Sequence, residues 1–241
     1  MKRKNRHVFV TVLLCCNAIA QATPVAQQPL VSVGSVVAAD SMQLYEAAVE
    51  QMPVPLQTSM ISFAKGYLDA HGELLESIQD QHEYTFTVVR KVLSQQGIPE
   101  EMLYLAVVES KMKNTATSGA GAAGIWQLMP GTARSWGLHV NPKADQRRHI
   151  YYSSVAAAKY LRYLYAQFDD WLLVVAAYNC GEGTVAKAMR QAGSKDYWKL
   201  QRLLPTETRD HVKRFIATHY FYEGEGSWVT LTKPEREQYL R

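Results

Sequence analysis

Glu109 sits in an unusual setting for an acid. It closes the run Leu103-Tyr-Leu-Ala-Val-Val108, and its neighbours three and four positions back, Ala106 and Leu105, are apolar and share its helical face. A carboxyl so placed is desolvated, and desolvation favours its protonated form. A protonated carboxyl is what the leaving oxygen of a glycosidic bond requires. A glutamate that merely ends a helix against solvent has the same spacing, so spacing alone leaves Glu109 a candidate. Downstream of it come the loop Ser118-Gly-Ala-Gly-Ala-Ala-Gly124 and then Ile125-Trp126-Gln127-Leu128-Met129-Pro130. Gly119, Gly121 and Gly124 would let backbone approach a ligand closely. Trp126, Gln127 and Met129 offer an aromatic face, an amide and a soft filler, a set suited to a sugar bearing an N-acetyl group. Core packing would use Trp126 and Met129 equally well.

Other chemistries have less to stand on. HExxH and CxxC are absent, and His211 and His219, eight apart on one helix, lack a third ligand nearby, so they read as surface or capping histidines and no metal or cofactor is expected. No GxSxG nucleophile elbow occurs. Cys180 paired with a distant histidine would make a cysteine hydrolase, but it follows Asn179 at a helix end without a local signature and reads better as a small residue in a turn.

The elements that must hold Glu109 are mostly helical. Met42 to Gln51 carries helical spacing, stopped by Pro53 and Pro55. Residues 56–71 carry an amphipathic stripe, 73–80 and 84–96 two further helices, the last ended by Gly97. Pro99 opens the Glu109 helix, whose interior from Met102 to Val108 is apolar on all sides and should be buried all round. Short and long helices follow at 131–136, 153–168, 171–178, 184–191 and 205–222; the 171–178 segment is again nearly all apolar. Strand signals are weak, so the expected class is mainly α with at most a small β-sheet.

The chain of 241 residues is 47% hydrophobic and 20% charged, too apolar for disorder. Lys2, Arg3, Lys4 and Arg6, the apolar run Val8 to Cys16 and Ala20-Gln-Ala22 form a basic, apolar and small-x-small series, expected to be a secretory signal peptide over residues 1–22. The run is shorter than the roughly 20 residues that span a membrane, and Cys15 and Cys16 lack the small residue expected before a lipidated cysteine. The leader holds four of the 26 Lys and Arg and none of the 22 acids, so the remainder is formally neutral. The basic balance is therefore no argument for nucleic acid. With Cys180 as the remaining cysteine, stability must come from a core rather than from a disulfide. Residues 23–41 read as a linker, 42–222 as the folded domain with its catalytic core at about 95–222, and 223–241 as a charged tail broken by Gly224, Gly226 and Pro234.

Three separated motifs together resemble the catalytic domain of SLT-type lytic transglycosylases, glycoside hydrolase family 23. They are Ile98-Pro-Glu-Glu-Met102 through Glu109-Ser110 and on to Ala116–Pro130; Ala176-Ala-Tyr-Asn-Cys-Gly-Glu-Gly183; and Leu204-Pro-Thr-Glu-Thr-Arg209. The resemblance covers about Met52 to Tyr222 and looks closest to the membrane-bound lytic murein transglycosylase D branch. It implies a lysozyme-like helical domain in the periplasm that acts on peptidoglycan glycan strands, with outer-membrane or cell-wall machinery as compatible company. It implies that Glu109 is a lone acid/base, protonating the oxygen between N-acetylmuramic acid and N-acetylglucosamine and then taking the proton of the attacking muramyl C6 hydroxyl, which leaves a 1,6-anhydromuramyl end. By position Ser118, Gln127 and Met129 would line the site, with Tyr178 and Asn179 from the second motif and Glu207 from the third. A water-using muramidase and a non-catalytic peptidoglycan-binding protein are the rival readings. The chain departs from the family at Met112-Lys-Asn114, where an aromatic, an acid or amide and a proline are usual, at Cys180, and at His211, where many relatives have tyrosine. The LysM repeats typical of the D branch are not found in it.

Overall fold

The computed structural model describes residues 57–239. The expected leader, linker and Met42–Gln51 helix lie outside them. Among the described residues the architecture is helical, with one sheet of two two-residue strands.

Helix α1 spans Thr58–Gln81 and α2 Glu83–Gln95. The sequence suggested two helices, 56–71 and 73–80, where α1 is one across Gly72. A β-carbon at Gly72 would only graze the Phe221 ring at 3.8 Å. Met60, Ala64, Leu75 and Ile78 along α1 are buried, and such burial outweighs the roughly 1 kcal/mol a mid-helix glycine costs. A 3₁₀ turn, Glu100–Met102, follows Pro99 and leads into α3, Leu103–Ser110. Lys111 and then Met112 take left-handed φ values of 55° and 60°, which ends α3 and turns Met112 into the core at 1% exposure. So the first residue of the family departure is a packing residue, while Lys113 and Asn114 are exposed.

Helix α4 spans Pro130–Ser135, with its proline in the first turn where the missing N–H is not needed. Strands β1 (Val140–Asn141) and β2 (Ala144–Asp145) pair antiparallel across a turn in which Asn141 Oδ1 accepts from the amides of Lys143 and Ala144. A 3₁₀ turn, Gln146–Arg148, connects to α5, Ile150–Phe168. Asp169, left-handed at φ 52°, and Asp170, which accepts from the amides of Leu172 and Leu173, join α5 to α6, Trp171–Cys180. Then come α7 (Glu182–Ala192), α8 (Tyr197–Leu200), a 3₁₀ turn (Gln201–Leu203) and α9 (Thr206–Glu223).

The two helices read as apolar all round are the centre of the core. Trp171 through Ala177 of α6 and Leu103 through Ala106 of α3 have no exposed surface. Helix α9 packs on α1, α3 and α6, and α5 packs on α2 and α6. The stretch read as a charged tail is largely packed instead. Trp228, Val229 and Leu231 are buried around a 3₁₀ turn at Trp228–Thr230, with Trp228 edge-on to Trp171, and α10 (Lys233–Tyr239) follows. Sequence periodicity missed this segment because its apolar residues are few and its glycines and proline dominate locally, whereas a waiting aromatic surface on α6 decides its place.

Candidate active site

Glu109 occupies the last turn of α3, one residue before the helix ends. Its side chain keeps 17% exposure, so the carboxyl is partly enclosed and still open to a ligand. Its Oε1 lies 2.9 Å from Nε2 of His211, a residue 4% exposed on α9. The sequence reading placed His211 and His219 on the surface or at caps. Both are buried, because the face of α9 that carries them is the one pressed on α3 and α6.

Ser110 fastens the Glu109 helix to the loop beyond it. Its buried hydroxyl donates to the carbonyl of Ile125 at 2.8 Å. The loop closes on itself through Ser118 N–H to Ala122 O, Gly124 N–H to Ala116 O and the paired amides and carbonyls of Ala123 and Leu128. Within it the Ser118 hydroxyl accepts from the Ala122 amide at 3.0 Å, while the side chain itself is exposed. Gln127, at φ 45°, spends its amide NH₂ on the carbonyl of Gly124 at 2.8 Å and stays partly exposed. Met129, at the N-cap of α4, is 44% exposed.

One open reading resolves here and another changes. Trp126 is a core residue with no exposed surface, its indole N–H donating to Ser154 Oγ at 2.9 Å. Gly124 is needed for the protein's own backbone rather than for a ligand, since a β-carbon there would stand 1.8 Å from Arg147 O. Gly119 and Gly121 have nothing within 4 Å of that position.

The second and third motifs meet the first. Tyr178, on α6, donates its hydroxyl to the carbonyl of Trp126 at 2.6 Å. Burial, and then the nearby Glu109 carboxylate, hold that hydroxyl well above the usual phenol range, so it stays a donor. Asn179 Oδ1 accepts from the buried hydroxyl of Thr208 at 2.7 Å, which ties the end of α6 to the start of α9. Glu207 is exposed in the first turn of α9, one helical turn before His211 and on the same face. Burial holds the Cys180 thiol above its usual value, the reverse of what a nucleophilic thiolate needs.

Sequence reasoning also missed the clamp around the loop. The guanidinium of Arg147, 7% exposed, donates to Gly121 O at 2.7 Å and Leu128 O at 3.0 Å and forks onto Asp145 at 2.9 and 2.8 Å. That fork, chiefly through its hydrogen bonds, holds the Asp145 carboxyl below the usual carboxylate range. Arg148 donates to Thr115 O at 2.7 Å and Thr117 Oγ1 at 2.6 Å. Two adjacent arginines before a helix look in sequence like ordinary surface charge. Among the described residues no group of three or more His, Cys, Asp or Glu could hold a metal ion. A cavity of about 360 Å³ walled by Met60, Trp198, Gln201, Arg209 and Lys213 includes none of the site residues, so the chemistry is read from the Glu109 surface.

Residues 87–201, which hold the helix of Glu109, the clamped loop and Tyr178, match the family model of the transglycosylase SLT domain. The chain belongs to the SLT-type lytic transglycosylases. It is 42% identical over 172 residues to membrane-bound lytic murein transglycosylase D of Escherichia coli K12, a match that covers 69% of this chain and 37% of that protein. It is 27% identical over 160 residues to the soluble lytic murein transglycosylase of the same strain, covering 63% of this chain and 25% of the relative. The chain thus spans well under half the length of either relative. The 70 kDa soluble lytic transglycosylase of Escherichia coli superposes with a TM-score of 0.55 at 22% identity, covering 81% of this chain and 34% of that one, a likeness of fold. The lysozyme-like helical class expected from the motifs is therefore the class observed.

Proposed function

We propose that this SLT-type chain cleaves the β-1,4 bond between N-acetylmuramic acid and N-acetylglucosamine of peptidoglycan as a lytic transglycosylase, with Glu109 as its acid/base. The observation that carries the reading is the setting of Glu109: a partly enclosed carboxyl at the end of a buried helix, whose side-chain partner is an imidazole and not a second acid. One carboxyl is enough when the substrate supplies the nucleophile. Glu109 gives its proton to the bridging oxygen, and the electron pair of the C1–O bond leaves with the N-acetylglucosamine O4. The muramyl C6 hydroxyl forms the new bond to C1, and its proton returns to Glu109. No water is consumed, unlike the two-carboxylate schemes. Ser118, Gln127, Met129, Tyr178, Asn179 and Glu207 line this surface and bind the glycan. The bonds that join their segments, Ser110 to Ile125, Tyr178 to Trp126, Thr208 to Asn179 and His211 to Glu109, support that role. Residues 1–22 would direct the protein to the periplasm, where the polymer lies.

Mass spectrometry of the products released from purified peptidoglycan tests the reading. Anhydromuramyl ends are the expected result. Reducing ends would make the protein a muramidase, and binding without release would make it a wall-binding protein; either result overturns the proposal. Glu109→Gln should stay folded and lose about 10²–10⁴-fold in turnover.

A further inference from the structure

The imidazole of His211 touches Glu109 through Nε2, and its other nitrogen, Nδ1, is buried without a hydrogen-bond partner among the described residues. Three proton arrangements are conceivable. An imidazolium would bury an unpaired Nδ1–H together with a charge. The neutral Nδ1–H tautomer would bury the same orphan donor and oblige Glu109 to point its own proton at Nε2, away from any substrate. The neutral Nε2–H tautomer leaves only a lone pair at Nδ1, and buried orphan N–H groups are rarer in proteins than under-used acceptors. We infer that His211 is a positioning residue: it donates Nε2–H to Oε1 of Glu109 and so assigns the catalytic proton to Oε2.

The inference rests on the acid/base reading of Glu109 and sharpens it to the atom. Oε1 accepts the His211 bond whether Glu109 is protonated or ionised, so the bond need not break during the cycle. Oε2 delivers the proton to the leaving oxygen and later receives the one from the C6 hydroxyl. The carboxyl plane is fixed throughout, which is what a group that must act twice from one position requires. The surroundings fix His211 in turn. Helix α9 is pressed on α3, and one turn before His211 the Thr208 hydroxyl is locked to Asn179. The chain has an imidazole where many relatives carry a phenol, so this arrangement is a property of its own residues.

Three variants of the full chain decide the matter, each assayed for kcat and KM of anhydromuramyl product formation. His211→Phe keeps a planar ring and removes the donor; kcat should fall about tenfold to a hundredfold with KM within about twofold. His211→Gln places an amide N–H near the former Nε2 and should recover most of that loss. A residue that merely filled space would give the opposite ranking, with Phe tolerated and Gln harmed, and that ranking overturns the proposal. If Glu109→Gln is inactive while His211→Phe turns over normally, the positioning role fails and the acid/base reading stands. If Glu109→Gln itself turns over, the acid/base reading fails. Should both His211 variants lose the fold, nitrogen–proton correlation of the wild-type imidazole still decides: a proton on Nε2 with a bare Nδ1 is expected, and an Nδ1–H tautomer or an imidazolium at neutral pH overturns the inference.

Discussion

A methyl group at Gly124 would meet the carbonyl oxygen of Arg147 at 1.8 Å, and the backbone there has φ 80°. Both facts forbid a side chain, and backbone cannot swing aside as the end of a lysine does. Gly124→Ala should destabilise the protein by about 2–4 kcal/mol and detach the loop from its clamp, read as a lower unfolding temperature together with lost activity. Gly119→Ala is the control: nothing lies within 4 Å of its β-carbon, so stability should change by less than about 1 kcal/mol. Tyr178 makes a milder test. Removing its hydroxyl in Tyr178→Phe strands the Trp126 carbonyl and should cost about 1 kcal/mol, without touching the acid itself.

At the scale of elements, the turn after β2 does for the loop what the loop cannot do for itself. Small residues make a pliable segment, and a pliable segment cannot hold site groups to within a fraction of an ångström. Arg147 and Arg148 supply the stiffness through six carbonyl, hydroxyl and carboxylate contacts at 3.0 Å or less. Arg147→Ala would strip the fork from Asp145, take the guanidinium donor from Gly121 O and leave Leu128 O with the Ala123 amide alone, with an expected loss of about 3 kcal/mol. The same pair predicts an acid response. Because the folded state holds Asp145 below its ordinary value, the pair's contribution is complete above the usual carboxylate range, about pH 4, and is lost as pH falls through the depressed value. Protection of residues 116–128 against amide exchange should therefore weaken in the wild type as pH falls below the usual carboxylate range, about pH 4, and be weak at every pH in Arg147→Ala.

For the molecule as a whole, stability should depend on His219. Burial pushes this imidazole from 6.5 down to about 4. The unfolded chain takes up the proton at the higher value and the folded chain only at the lower one. Its neutral form thus supports the fold fully above pH 6.5, and that support drains away as pH falls toward about 4. The loss is at most about 3 kcal/mol, and it should appear as a difference in acid denaturation between the wild type and His219→Gln. The segment after α9 belongs to the same core. Deleting residues 224–241 removes Trp228, Val229 and Leu231 from their burial, at roughly 1.5–3 kcal/mol for each side chain. Thermal unfolding of the shortened chain should fall markedly if this stretch is part of the domain, and hardly at all if it is a tail.

By itself the sequence determined the helical class and the two largely buried helices, and it singled out Glu109 as the candidate acid. Those depend on local matters: the 3.6-residue period, runs without a polar side chain, and an acid set against its own apolar turn. The three motifs added which segments must meet. It did not determine what they meet with. His211 reads as any helical histidine until α9 is laid on α3, and Arg147 as surface charge until the loop is folded over it. Trp126 was equally suited to a ligand or to the core, and only Ser154, 28 positions away, chose for it. Trp228 needed Trp171 to be buried at all. Hydrogen-bond partners, buried charges and close backbone approaches are relations between distant positions, and no local pattern records them. The tertiary structure therefore decided how Glu109 is held, while the sequence had already singled Glu109 out as the candidate acid.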